Sequence, residues 1–359
     1  MSAKQWELDG DRIMKDTENK LNSSGGFFSS FFSGGESSKK ETAKEGYTEA
    51  ANKYKLAKCW PKAANALGKA AKLMDELGDT VESGMAYANA GSFMFKEDQI
   101  EQGIKLLQCA VAVFQNAGKL DKAGKYEKLI GEKLEARLDV EDPKKMALAH
   151  YERAYDLFSS DETFRLHAIT CLEKVCKILS QRGDYTVAIK RWDELIKMLA
   201  EDSRLGPRMK GAILNAFYCV FTQKDSVLTR TKITDWCDQS VQFARSRAQQ
   251  FCESANEAFE EGDAQALATA FTKWERFNNM EPWQVKCIKT VFDELKPKKD
   301  DGNDKKPAVV VAPPPVIPSA ATNTSSSGSN DSDKNPQSIP EILGDCDSDD
   351  DDDDESDVL

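Results

Sequence analysis

Little in this chain is suited to an active site. Only two histidines, His150 and His167, occur in 359 residues. Neither has a Cys, Asp or Glu at metal-ligand spacing, so each is expected to be an ordinary helix residue. No Gly-x-Gly-x-x-Gly follows a strand-like run, and no Gly-Lys-Ser/Thr loop is present to cradle phosphates. The nine cysteines are scattered and no Cys-x-x-Cys occurs, which disfavours zinc and redox chemistry and fits small reduced core residues. No apolar run approaches the roughly 18–20 residues of a membrane span, so a soluble or peripheral protein is expected. The first residues, Met1 to Trp6, carry no apolar leader core, so secretion is not expected. Between Pro61 and Pro143 there is no proline at all, and long helices can run uninterrupted.

Charge of one sign is also missing from most of the chain. Residues 331–359 hold thirteen acidic residues and one lysine, Lys334, for a net of −12. The whole chain has 49 basic and 61 acidic residues, which leaves 48 of each in residues 1–330. The acidity belongs to the tail. A balanced body still has room for a one-sided basic face.

Against these absences stands Phe27-Phe28-Ser29-Ser30-Phe31-Phe32, set between Ser23-Ser24-Gly25-Gly26 and Ser33-Gly34-Gly35. Glycine costs backbone entropy in a helix or strand, so this stretch reads as a loop presenting rings. Its spacing fits neither a helical stripe nor strand alternation. Two readings follow: a loop folded back under the first helix, or a surface that meets a bilayer or an apolar partner.

The rest is helical. Residues 3–21 read as a polar helix with Trp6, Leu8, Ile13 and Leu21 as its apolar contacts. From Lys39 onward an apolar pattern repeats. Tyr47, Ala50, Ala51, Tyr54 and Ala57 mark one stripe, and Trp60, Ala63, Ala64, Leu67, Ala70 and Ala71 mark the next. Further copies run through Tyr87 to Phe114, Tyr126 to Phe158 and Ala168 to Leu199. The anchors Leu67, Leu107, Tyr151 and Trp192 recur at intervals of 40, 44 and 41 residues. Gly78, Gly118 and Gly183 fall where helices must stop. Small residues on one helix against large ones on the next predict tetratricopeptide-like hairpins of long period. Beyond Pro207 the repeat blurs, and Ala212–Phe221, Trp236–Phe259, Ala264–Phe277 and Trp283–Leu295 suggest a closing bundle.

The expected fold is all-α: a twisted sheet, or right-handed solenoid, of helical hairpins closed by a C-terminal helical bundle. Residues 1–38 hold the N-terminal helix and Phe loop, 39–205 the hairpin repeats and 206–297 the bundle. Residues 298–359, with Val309 to Pro315, a Ser/Asn/Gly stretch and the Asp349–Asp354 run, form a disordered acidic tail. The many carboxylates, such as Glu127, Glu132 and Glu135 among Lys125, Lys128 and Lys133, are expected on solvated helix faces.

Four stretches, in this order, make residues 1 to about 297 resemble the soluble N-ethylmaleimide-sensitive-factor attachment protein family. They are the Phe27–Gly35 loop; Tyr47 to Lys58 followed by Trp60; Asp139-Val140-Glu141 leading into Ala147-Leu148-Ala149-His150-Tyr151-Glu152; and Cys171 to Val175 with Gly183 to Ile189 behind it. The phenylalanine stretch resembles the alpha-type members, and the long acidic extension the gamma-type.

The resemblance implies an adaptor without catalysis of its own or any cofactor. It would bind the SNARE four-helix bundle and recruit and stimulate a hexameric AAA+ ATPase in vesicle fusion and intracellular transport. Matched segments make Lys125 and Lys174 the implied SNARE contacts, and Phe27, Phe28, Phe31 and Phe32 the implied membrane contact. For the ATPase, Glu281-Pro282-Trp283 is similar to the family's Asp-Gln-Trp. The acidic contact itself would lie either at Asp300 and Asp301 or at the end, Asp357 and Leu359. No nucleic-acid partner is implied. The alternative is a tetratricopeptide-like scaffold for another peptide, with the Phe loop buried.

Overall fold

Small residues on one helix meet large ones on another, and these meetings decide how the chain packs. The computed structural model describes residues 2–22, 35–137, 139 and 141–295. Fourteen α-helices form among them: α1 Ala3–Asn22, α2 Gly35–Leu56, α3 Trp60–Leu77, α4 Thr80–Phe95, α5 Ile100–Asn116, α6 Leu120–Glu135, α7 Pro143–Phe158, α8 Arg165–Arg182, α9 Tyr185–Ala200, α10 Gly206–Phe221, α11 Ser226–Gln239, α12 Arg247–Glu260, α13 Ala264–Glu275 and α14 Pro282–Leu295. No strand occurs among the described residues.

Local chemistry sets the boundaries. Pro61 and Pro143 occupy the first turns of α3 and α7, where a missing N–H is no loss. Asp142 caps α7 by accepting from the Lys145 N–H at 3.0 Å. Gly78, Gly118 and Gly183 follow α3, α5 and α8 in the left-handed region, at φ of 93°, 69° and 88°, as their spacing predicts.

Small-on-large packing does the rest. On α3, Ala63, Ala64, Ala66, Ala70 and Ala71 are all buried. Gly84 on α4 receives the Phe114 ring of α5, and a Cβ there would lie 2.6 Å from it. Phe114, Tyr151 and Trp192 are fully buried, each contributing about 1.5–3 kcal/mol from burial. Every helix from α1 to α14 packs on the next in sequence, which is how stacked hairpins are held. One continuous core runs from Ala88 to Val291, while α1–α3 are held by smaller clusters around Tyr54 and Tyr47.

Polar links climb the same ladder. Tyr126 reaches Met85 41 residues back. Lys174 bonds Glu135, Tyr155 bonds Glu194, and Lys232 bonds Asp193, each pair 39 residues apart. The step therefore continues past Pro207, and α10 with α11 makes one more hairpin. The sequence hides this because α11 is polar and buries only Thr229, Ile233 and Trp236. Beyond it, α10 also packs on α12 and α14 and forms the axis of the closing bundle.

Four local expectations are corrected. The second helix begins at Gly35, with Glu36 in its first turn, and not at Lys39. Trp236–Phe259 is two helices, broken after Gln239 and restarted where Ser246 accepts from the Gln249 N–H. Phe277 lies outside α13 and is 71% exposed. Leu8 is also exposed, at 54%. The eight described cysteines are unpaired, and burial pushes the Cys171 thiol up to about 12.

Candidate functional site

The implied SNARE contacts lie on α6 and α8, first helices of consecutive hairpins. Lys125 is exposed on α6 and lines a groove of about 420 Å³ with Lys128, Leu129, Glu132, Phe164 and His167. Its ammonium lies 5.9 Å from the Tyr126 ring and has no carboxylate partner among the described residues. Lys174 is different. Its Nζ lies 2.9 Å from Glu135 Oε2 and 5.7 Å from the Tyr151 ring, with the side chain 42% exposed. The Tyr151 hydroxyl donates to the same carboxylate at 2.8 Å. Burial alone would raise the Glu135 carboxyl, but Lys174 and Tyr151 outweigh it and hold the group below its ordinary value.

The stripe continues onto α10. Glu173 accepts from Arg208 at 2.8 Å and lies 3.1 Å from Lys177. These donors outweigh its burial and lower its carboxyl too. This face is a row of cations interleaved with carboxylates of the same helices. An acidic partner would meet Lys125 directly but would compete with Glu135 for Lys174.

Glu135 is thus only partly solvated, and Glu127 is not solvated at all. Glu127 is 5% exposed, its Oε2 lies 2.6 Å from His150 Nδ1, and its Oε1 accepts from Arg153 Nε at 3.0 Å. His150 is buried as well. The signal was present in the sequence: Ala123, Glu127, Ile130 and Leu134 follow a 4, 3, 4 spacing, and all four are buried. A carboxylate on an apolar stripe demands partners, and His150 and Arg153 on α7 supply them.

Phe27, Phe28, Phe31 and Phe32 lie outside the described residues, but the helices on both sides of them are placed. Charge holds α1 down. Lys62 lies 2.8 Å from Glu7 and 2.9 Å from Asp11, and Lys69 lies 2.5 Å from Glu18. Tyr54 adds a hydrogen bond to Asp11 at 2.7 Å. Gly10 lets α1 approach, since a Cβ there would lie 2.8 Å from the Tyr54 ring.

Of the implied ATPase contacts, Asp300, Asp301, Asp357 and Leu359 also fall outside the described residues. Glu281 immediately precedes α14, and its carboxylate accepts from Trp283 Nε1 at 2.9 Å and Gln181 Nε2 at 3.1 Å. Gln284 Oε1 accepts the Glu281 N–H at 2.8 Å, half of a capping box. Glu281 is exposed, yet it also ties α14 to the end of α8.

No helix among the described residues is long and apolar enough to cross a membrane. A family model described as "Soluble NSF attachment protein, SNAP" matches residues 8–296. Similar chains include a "Probable vesicular-fusion protein sec17 homolog" of Schizosaccharomyces pombe, 25% identical over 82% of this chain and 98% of its own length. They also include the "Alpha-soluble NSF attachment protein" of Mus musculus, 27% identical over 80% of this chain and 95% of its own. The "Alpha-soluble NSF attachment protein" of Vitis vinifera is 26% identical over 81% and 95%.

Proposed function

The chain belongs to the soluble NSF attachment protein family, and from that membership we propose that it is the adaptor that couples assembled SNARE bundles to the AAA+ ATPase in vesicle fusion and intracellular transport. The carrying observation is the extent of the match, residues 8–296. It spans the whole stack of hairpins and the closing helices, not one generic repeat.

In this reading the first-helix face of α6, α8 and α10 lies along the acidic bundle, with Lys125 as a direct contact and Lys174 as a shared one. Each exposed pair contributes ~0–1 kcal/mol, so binding is the sum of many charges and weakens with salt. Phe27, Phe28, Phe31 and Phe32 touch the membrane as a weak, reversible foothold, and several adaptors on one tethered bundle multiply its effect. The protein thus works at membranes peripherally. Glu281 meets the ATPase together with either Asp300 and Asp301 or Asp357 and Leu359. The adaptor performs no chemistry itself.

Reconstituted disassembly tests the reading. The purified chain is expected to bind assembled SNARE complex at low salt, recruit the ATPase and support ATP-dependent disassembly. Absence of SNARE binding at low salt overturns it. Phe27→Ser with Phe28→Ser is expected to leave the melting temperature unchanged and to weaken liposome association. Unfolding by that double variant would mean the rings are buried.

A further inference from the structure

The groove between α12 and α13 plays no part in the function proposed above, and folding alone does not account for it. Its floor is Phe251 stacked on Trp274, with ring centroids 4.9 Å apart and planes 11° from parallel. Trp274 is fixed in place because its Nε1 donates to the Tyr218 hydroxyl at 3.0 Å. Phe277, 71% exposed, stands at one side with the Arg247 guanidinium 5.5 Å from its ring centre. Lys273 adds a second cation, and no carboxylate among the described residues lines the groove. Neither cation has a carboxylate partner among the described residues.

Three features converge on one kind of ligand. A phenylalanine that exposed gains little from folding, so its placement is not explained by the core. Preformed aromatic surface beside arginine is the composition of interface hot spots. The enclosed volume is about 300 Å³, the low end for ligand sites, enough for one bulky side chain. Two unpaired cations and no anion then select the charge around that side chain.

We propose that the α12–α13 groove is a docking site for a partner peptide that inserts one bulky apolar side chain flanked by acidic residues. The apolar side chain lies on the Phe251–Trp274 floor beside Phe277, and the flanking carboxylates meet Arg247 and Lys273. This surface is separate from the lysine row of α6 and α8.

A fluorescein-labelled peptide, Glu-Asp-Glu-Phe-Asp-Glu, titrated with the full chain and followed by anisotropy, tests this. Saturable binding is expected, together with slowed amide hydrogen exchange at residues 247–254 and 270–278. Phe277→Ser and Lys273→Glu are each expected to weaken binding by about tenfold or more. Phe277 is exposed, so its variant should melt like the parent. Ala270→Trp, which fills the groove, is a third variant with the same expected loss. A peptide with lysines in place of the acidic residues should not bind. The proposal is overturned by no saturation up to about 1 mM, by equal binding of the lysine peptide, by protection confined to other helices, or by unchanged affinity in all three variants.

Discussion

Lys174 on α8 and Glu135 on α6 stand 39 residues apart in sequence and 2.9 Å apart in space. Lys125, on the same face, has no such partner among the described residues. Lys174→Ala is expected to lower stability by about 1 kcal/mol, because half-buried Glu135 keeps only Tyr151 as a donor. Lys125→Ala should stay within about 0.5 kcal/mol of the parent. Thermal melts of the two variants separate these roles, and equal losses would refute the distinction.

Acid sensitivity follows from Glu135 and Glu173. Both carboxyls lie below the ordinary value of 4.5 in the folded chain. A depressed folded value means that their contribution is present above the unfolded value and lost as pH falls through the folded one. Denaturant midpoints measured downward from pH 5 should therefore fall less steeply in Glu135→Gln with Glu173→Gln than in the parent. Parallel limbs would show that neither carboxylate contributes.

Glu127 is expected to behave unlike its neighbour Glu132. Glu127→Leu removes the acceptor that buried His150 shares with the exposed Arg153, at a cost of about 2–4 kcal/mol. Glu132→Leu changes a surface position and should cost less than about 0.5 kcal/mol. Urea titration of both variants gives the comparison.

The seat of α1 depends on a missing side chain. Gly10→Val places its Cβ 2.8 Å from the Tyr54 ring, so α1 must lift, at about 1–3 kcal/mol. Faster amide exchange confined to α1 and α2 is the expected signature. Exchange that rises uniformly along the chain would contradict it.

One turn is strained for its residue. Lys58, exposed after α2, has φ of 58°, a left-handed conformation that costs a side chain about 1 kcal/mol. Lys58→Gly relieves this, partly offset by glycine's greater freedom in the unfolded chain. The net expectation is stabilisation by a few tenths of a kcal/mol, read as a higher midpoint in urea; a lower midpoint would refute it.

The hairpin stack was legible because its signals are local and repeated. Tyr151 and Trp192 recur at one interval, and Gly78 and Gly183 stop helices where the stripes end. What escaped depends on partners far away in sequence. Glu127 lies on a readable apolar stripe, but its partners show only once α7 brings His150 and Arg153 to it. The α10–α11 hairpin was blurred because α11 shows too few apolar residues to reveal a stripe. The break after Gln239 has no glycine or proline to announce it; Ser246 restarts the helix by a cap easily lost among polar neighbours. Lys125 and Lys174 were legible as positions, but the difference between them was not, since it rests on where Glu135 points.

The ladder of same-step links, from Met85–Tyr126 to Asp193–Lys232, has a mechanical consequence. Units joined chiefly to their neighbours behave as springs in series: their compliances add, and the whole yields first at its softest member. Here that member is α1, which encloses no apolar side chain and buries only Gly10 and Thr17. A pull on that end should be absorbed there, while α4 to α14, bound by one continuous core, move together.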